Sequence, residues 1–471
     1  MKLKFNFSPV LPYYLFVIGV FLLIVSPVLF SDGMFMDGLI YSSIAHNLSQ
    51  GIGTFWNPRF SATCMTDFHG HPPLAFGLQS IFYTLFGESR IIDKAYSLLT
   101  FVVVGYVLIK IWNALNLKHS WLPLLFWLST PLVIWACSNN MLENTLSIFT
   151  SLSVLLYLKS QQDRKYFYII LSGLMLSLGF LTKGFVAFFP WSFPLLMWLL
   201  VRQQSFLRMI IDSLGVLFCS VTPLIILMIL SSEAHTTITK YINSQVINSI
   251  INVSTVESRF FILQRLFLEL IPTFCFFLIF IIWGVRKKFS INQLKINFKL
   301  ASVFILLGLS GVFPIMITLK QSGFYMLATF PFFAIGLGIL IYPLIDFLFH
   351  DYTNKSKQFF NWIGYITFLT GLILSVYFSN RIGRDTDKME DTHKILSLIP
   401  KHSVINVYPN IWQEWDLHGY YQRYKNISLD QNIENKRDFL LIRKNEYSKD
   451  QNKDYKLVEL QTNEYVLLKK K

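Results

Sequence analysis

A few ionisable residues stand out in this chain because their surroundings are so apolar. Asp37 opens the run MDGLIYSSIAHNL, His69 and His71 flank Gly70, Glu143 follows Asn139 and Asn140, and Lys183 and Lys320 each close an apolar stretch. A carboxylate in such a place can act as a general base, two imidazoles one residue apart can meet a phosphate or a metal ion, and an ammonium can neutralise a phosphate. Each has a plainer reading as well. Asp37 fits a first-turn helix acid, worth about 0.5–2 kcal/mol. His69 and His71 fit a wet loop, and Lys183 and Lys320 fit cations that snorkel to headgroups. Glu143 has less latitude, because an acid near the mouth of an apolar span must pair or face a cavity. Arg259 and Arg265, close to Glu257 and Glu269, read as surface ion pairs worth under about 1 kcal/mol. Asp32 shares the polar segment that carries Asp37.

The elements that must hold these residues are set by composition. The 471 residues are 53% hydrophobic, include 45 Phe and are only 14% charged. A soluble fold of this length cannot hide so much apolar surface, so the bilayer must solvate most of the chain. Apolar blocks long enough to cross a roughly 30 Å hydrocarbon core recur near 10–30, 95–114, 119–136, 141–158, 167–182, 185–201, 208–230, 266–285, 300–319, 324–345 and 361–379. The expected fold is therefore an all-α polytopic membrane protein with about eleven transmembrane helices. Alternate breaks carry the Lys and Arg, from Lys2 and Lys4 to the run Arg286, Lys287, Lys288, Lys295 and Lys299. Cytoplasmic loops have this bias, which places the N-terminus inside and residues 31–94, 231–265 and the tail outside. Inner-leaflet electrostatics then account for the net charge of +14 without any nucleic-acid partner.

Residues 38–49 and 73–86 have helical apolar spacing but are short for a crossing, so they are expected as amphipathic helices on the outer surface. Cys64, Cys137, Cys219 and Cys275 form no paired framework, and neither a CxxC spacing nor a glycine-rich nucleotide loop is present. Residues 1–380 read as one transmembrane domain that includes the external loop 31–94. Residues 381–471 differ, being charged with β-branched runs, and read as a small external α/β domain with strands starting near 403, 437, 455 and 465.

The order MDGLIYSSIAHNL, HPPLAFGLQSIFYTLFG, NNMLEN, GLMLSLGFLTKG and KQSGFYMLATFPFFAIGLG resembles the polyprenyl-phosphate-dependent membrane glycosyltransferases of the GT-C class. Protein O-mannosyltransferases and lipid A aminoarabinose transferases are the relatives it looks most like, over about 30–345. In that family an Asp-Glu pair opens the external loop; Asp37 matches the Asp, and Gly38 stands in place of the Glu. His71 with Pro72 and Pro73 matches the Lys-Pro-Pro or His-Pro-Pro, Lys94 takes the place of an Arg, and Lys183 and Lys320 match basic positions. The resemblance implies an inverting transfer of a sugar from a polyprenyl-phosphate donor to a hydroxyl of an envelope lipid, glycan or protein, outside the cytoplasmic (inner) membrane.

In this reading Asp37 and Glu143 are catalytic, and His71, Lys183, Lys320 and Lys94 bind the donor phosphate. Asp32, His69 and Arg259 are contributors from the loops. A divalent ion on Asp37, His69 and Glu143 is an option that no ligand spacing demands, and membrane lipids are the remaining partners. The competing reading is a multi-span transporter or flippase of a lipid-linked sugar. That reading calls for an internal repeat and midplane binding groups. No repeat is visible, and the ionisable residues gather in one external loop and at outer span mouths.

Overall fold

The computed structural model describes residues 10–89, 91–350, 354–379, 381–448 and 453–471. Lys2 and Lys4 lie outside them. The chain opens with α1 (Leu11–Leu29), α2 (Met36–Ser49), α3 (Leu74–Phe86) and α4 (Ile92–Ala114). Two short helices, α5 (Trp121–Leu128) and α6 (Pro131–Ser138), precede α7 (Leu142–Ser160) and α8 (Lys165–Lys183). A 3₁₀ segment over Gly184–Ser192 leads into α9 (Phe193–Leu200), α10 (Phe206–Leu230) and α11 (Ser232–Tyr241). A π-helical turn, Ile242–Ile247, joins α11 to α12 (Asn248–Ile251). Then come α13 (Phe261–Arg286), α14 (Phe298–Val312), α15 (Phe330–His350) and α16 (Asn354–Phe378). The tail adds α17 (Thr386–Leu398), β1 (Val404–Val407), α18 (Pro409–Trp412), α19 (Trp415–Lys425), β2 (Ser428–Asp430), β3 (Phe439–Arg443), β4 (Tyr455–Leu457) and β5 (Tyr465–Lys470).

The chain divides into two compact units, and the division is not a single cut near residue 380. One unit holds Met1–Ser26, Leu98–Cys137 and Leu142–Tyr377; the other holds Pro27–Ser97, Ser138–Met141 and Phe378–Lys471. The external loop thus belongs with the tail.

In the first unit the expected spans are helical, but the count of eleven does not follow from length and composition. Among the described residues eight stretches are long and apolar enough to cross a membrane, or nine if α5 and α6, bent by 79°, form one broken span. α7 falls short because Glu143, Asn144 and its Ser and Thr residues make it polar. Residues 165–200 form one stretch of 36 residues, but it folds back on itself. A Cβ on Gly179 would stand 2.9 Å from that of Ala187, far closer than eight residues of straight helix allow. Ser177 donates to Ser220 O (2.6 Å), whereas Trp191 Nε1 donates to Ser213 O (2.8 Å) and the Trp198 ring lies 5.1 Å from that of Phe206. α8 therefore runs parallel to α10 and residues 184–200 return antiparallel. The reversal falls at Gly184, whose φ of +77° suits glycine and whose Cβ would sit 1.9 Å from the Tyr241 hydroxyl.

α7 and α8 are antiparallel neighbours joined by small residues, with Ser153 and Ser172 hydroxyls 3.0 Å apart, as close helix packing in lipid favours. At the break between α5 and α6, Glu269 Oε2 accepts the Leu132 amide (2.7 Å) and Oε1 pairs with Arg265 (2.6 Å). The expected surface pair is therefore different in kind: Glu269 is buried and caps a helix that restarts inside the apolar unit.

In the second unit α2 is not a surface helix. Gly38 to Asn47 are all buried, including His46 and Asn47, because α19 covers one side and α3 another. α3 is amphipathic as its sequence predicts, with Phe76, Gln79 and Tyr83 buried and Ile81, Leu85 and Phe86 exposed. The sheet order is β2-β1-β3-β5-β4, with β1 parallel to β2 and β3, and β5 antiparallel to β3 and β4. Ile405, Val407, Leu429, Leu441 and Leu467 pack with Tyr421 into its core. β2 is too short to show an alternating pattern, yet its three residues are buried and bind the loop, where Ala62 N donates to Ser428 Oγ (3.0 Å) and Thr63 to Leu429 O.

Candidate active site

The antiparallel pairing of α7 with α8 brings the first turn of one beside the last turn of the other. Glu143 and Lys183 meet there. Glu143 is fully buried and Lys183 is 7% exposed; Lys183 Nζ is in direct contact with Glu143 Oε1. Each charge complements its helix dipole, the acid at an N-terminus and the cation at a C-terminus. The other carboxylate oxygen, Oε2, is buried and has no hydrogen-bond partner among the described residues. Lys183 Nζ also lies 5.5 Å from the Phe324 ring centroid and 5.2 Å from that of Tyr325, within cation–π range. Trp135 stacks on Phe324 at 5.9 Å, which extends the aromatic wall. Tyr241 OH donates to Lys183 O (3.2 Å) across the Gly184 reversal.

Lys320 is held one segment before that wall. Its ammonium donates to Gln245 Oε1 (3.0 Å) on the π-helical turn and to Ser249 Oγ (3.2 Å). The backbone beside it is fixed by buried Gln321, which accepts from Ile262 N (3.0 Å) and donates to the carbonyls of Arg259 (3.0 Å) and Thr318 (2.9 Å). Arg259 itself is exposed, and this carbonyl is how it enters the arrangement.

In the second unit Asp37 stands half-buried in the first turn of α2. Phe35, at the N-cap, supplies no capping side chain, and its amide is bound instead by Asn139 Oδ1 (2.7 Å). Asn140 reaches Gly38 O (3.4 Å) and Gln79 Oε1 (3.2 Å), tying α2 to α3. A Cβ at position 38 would lie 2.0 Å from Asn139 O. Residues 138–141 thus fill the place that a side chain at position 38 would take. His71 Nε2 lies 3.2 Å from the Tyr41 hydroxyl, and His69 is half-buried close by in sequence.

Two expected contributors are engaged in building this unit. Lys94 is buried and donates to Val28 O (2.6 Å) and Ser31 O (2.5 Å), capping the end of α1, because the start of α4 packs against that end. Asp32 accepts from Arg423 (3.2 Å) and from the Tyr424 hydroxyl, and lies 3.3 Å from His393. Burial alone would raise the Asp32 carboxyl, but His393, Arg423, Tyr424 and the Gly33 amide together hold it well below the usual carboxylate range. So weak a base does not suit proton abstraction. Among the described residues no group of three or more His, Cys, Asp or Glu side chains stands close enough to hold a metal ion.

Sequence reasoning missed the aromatic wall and the ionic centre around Arg423. Tyr325 lies in the KQSGFYML run, where a Gly-Phe-Tyr after a lysine was a usable signal. Arg423 had none, because its partners Asp32 and Asp93 are more than three hundred residues away.

This helical, multi-span architecture with a small terminal sheet is a GT-C fold like that of ArnT. The model of the family described as dolichyl-phosphate-mannose-protein mannosyltransferase matches residues 70–230. ArnT from Cupriavidus metallidurans, solved with undecaprenyl phosphate, is similar with a TM-score of 0.68 at 13% identity, over 96% of this chain and 97% of that one. Its apo form gives 0.64 at 13% identity, over 96% of each chain. The apo oligosaccharyltransferase of Archaeoglobus fulgidus gives 0.51 at 11% identity, over 91% of this chain and 64% of that one. No curated protein matches the chain by sequence.

Proposed function

We propose that this protein transfers a sugar from a polyprenyl-phosphate donor to a hydroxyl of an envelope lipid or glycan at the outer face of the cytoplasmic membrane, inverting the anomeric centre. The observation that carries the reading is the buried Glu143–Lys183 pair at the head of the α7–α8 hairpin. Burying an ion pair in a membrane unit is costly, and intramembrane ionisable residues mark functional sites. The likeness to ArnT, a structure solved with undecaprenyl phosphate, supports the donor class. The envelope lipid or glycan is preferred to a protein acceptor because the tail is small and has no evident peptide-binding module.

In the transfer the acceptor oxygen forms a bond to the anomeric carbon while the bond from that carbon to the phosphate oxygen breaks. The hydroxyl proton goes to Asp37, and the phosphate leaves on its lipid carrier. Lys320 meets the phosphate. Lys183 serves it less freely, since Glu143 competes for the same ammonium. Glu143 Oε2, buried with no hydrogen-bond partner among the described residues, accepts a hydrogen bond from a sugar or acceptor hydroxyl in this proposal. One base without a second carboxylate nucleophile suits a single displacement.

The test is transfer of labelled sugar by the purified protein in nanodiscs. Asp37→Asn should lower turnover by about 10²- to 10⁴-fold with donor affinity kept, as expected for loss of a general base. Lys320→Ala should weaken donor binding as well, because the phosphate is anionic before reaction. Near wild-type turnover in Asp37→Asn would overturn the base assignment.

A further inference from the structure

We propose that Tyr420 of α19 is a positioning residue for Asp37, acting through the backbone that leads into α2. The inference rests on Asp37 being the base. Its starting point is that α2 has no cap of its own: Phe35 supplies no capping side chain, so the setting of the first turn depends on contacts from elsewhere. Two are present. Asn139 binds the Phe35 amide, and the Tyr420 hydroxyl stands 3.3 Å from both the amide nitrogen and the carbonyl oxygen of Met34. That hydroxyl is fixed in turn by donating to Asp385 Oδ2 (2.9 Å), and the Tyr420 ring is fully buried with Met34, Leu39 and Met389.

α19 also grips α2 beyond Asp37. Gly419 lies so close that a Cβ on it would be 2.5 Å from Leu39 Cβ. One turn on, buried Arg423 makes a two-pronged contact with Asp93, whose Oδ2 accepts from Ser42 Oγ (2.9 Å) on α2. Ser42 is joined to Tyr83 of α3 (2.6 Å). Although burial works against its charge, Asp93 above all, with Tyr424 and Asp32, holds the Arg423 guanidinium protonated. α19 therefore contacts the chain before, beside and after the turn that carries Asp37. Such multiple contacts to one short helix are what a reacting group needs, since small misplacements cost rate far more than they cost stability.

Tyr420→Phe keeps the ring and removes only the hydroxyl. In nanodisc transfer assays of the full chain, kcat should fall about tenfold with donor KM changed less than about twofold, the pattern of a misplaced catalytic group. In an Asp37→Asn background the same change should alter residual turnover by less than about twofold, because a residue that acts only through Asp37 has nothing left to act on. An unchanged kcat in Tyr420→Phe, or an equal drop in both backgrounds, would overturn the proposal. If Asp37→Asn itself stays active, it is the base assignment that fails. Should Tyr420→Phe not insert, Asp385→Asn, which loosens the same hydroxyl, is measured in the same two backgrounds and judged by the same outcomes.

Discussion

Glu143 and Lys183 are both buried and in direct contact. Removing either alone leaves a charge where it is poorly solvated. Glu143→Gln or Lys183→Met should each destabilise the protein by about 3–5 kcal/mol, whereas the double variant should lose much less than the sum. Thermal unfolding in detergent measures the cycle, and strictly additive losses would mean that the two side chains are not coupled. The pair also changes what Lys183 can do. As a lone cation it would attract phosphate directly; beside Glu143 it belongs to a neutral couple under an aromatic wall. Lys320 donates to the uncharged side chains of Gln245 and Ser249.

At the scale of elements, α2 is shaped by the close approach of residues 138–141. Gly38→Glu should reduce the yield of folded protein sharply, because the side chain meets backbone at 2.0 Å. Gly51→Asn is the control: its φ of +75° suits Asn and nothing lies within 4 Å of an added Cβ. Equal elution profiles for the two variants in size exclusion would contradict the close packing. The helices of both units were legible in the sequence, since apolar runs and Pro, Gly or charged breaks are local signals. α2 was legible as a helix and misplaced as a surface one, because the elements that bury its polar side, α3 and α19, and the Asp93 that binds Ser42 are distant in sequence. The polar α7 and the fold-back at Gly184 show the reverse limit: hydropathy sees length, and only contacts reveal direction. Glu143 and Lys183 could be singled out as buried charges, but nothing local announced that they touch.

For the whole molecule, the union of residues 27–97 with 378–471 in one unit requires both to face the same aqueous side. Single cysteines replacing exposed Arg59 and Gln431 should therefore react with an impermeant maleimide applied from outside, while those replacing Gln162 and Asn292 should react only after permeabilisation. Opposite labelling of Arg59→Cys and Gln431→Cys would contradict the unit itself. The same partnership makes the tail part of the scaffold that holds Asp37.

The most direct measurement gives the purified protein, in proteoliposomes, a polyprenyl-phosphate sugar labelled in the sugar, together with extracted envelope lipids. Label should appear in the acceptor with inverted anomeric configuration, and one polyprenyl phosphate should be released for each sugar moved. Labelled donor that crosses the bilayer intact, with no sugar transferred, would contradict the proposed transfer and identify a transporter.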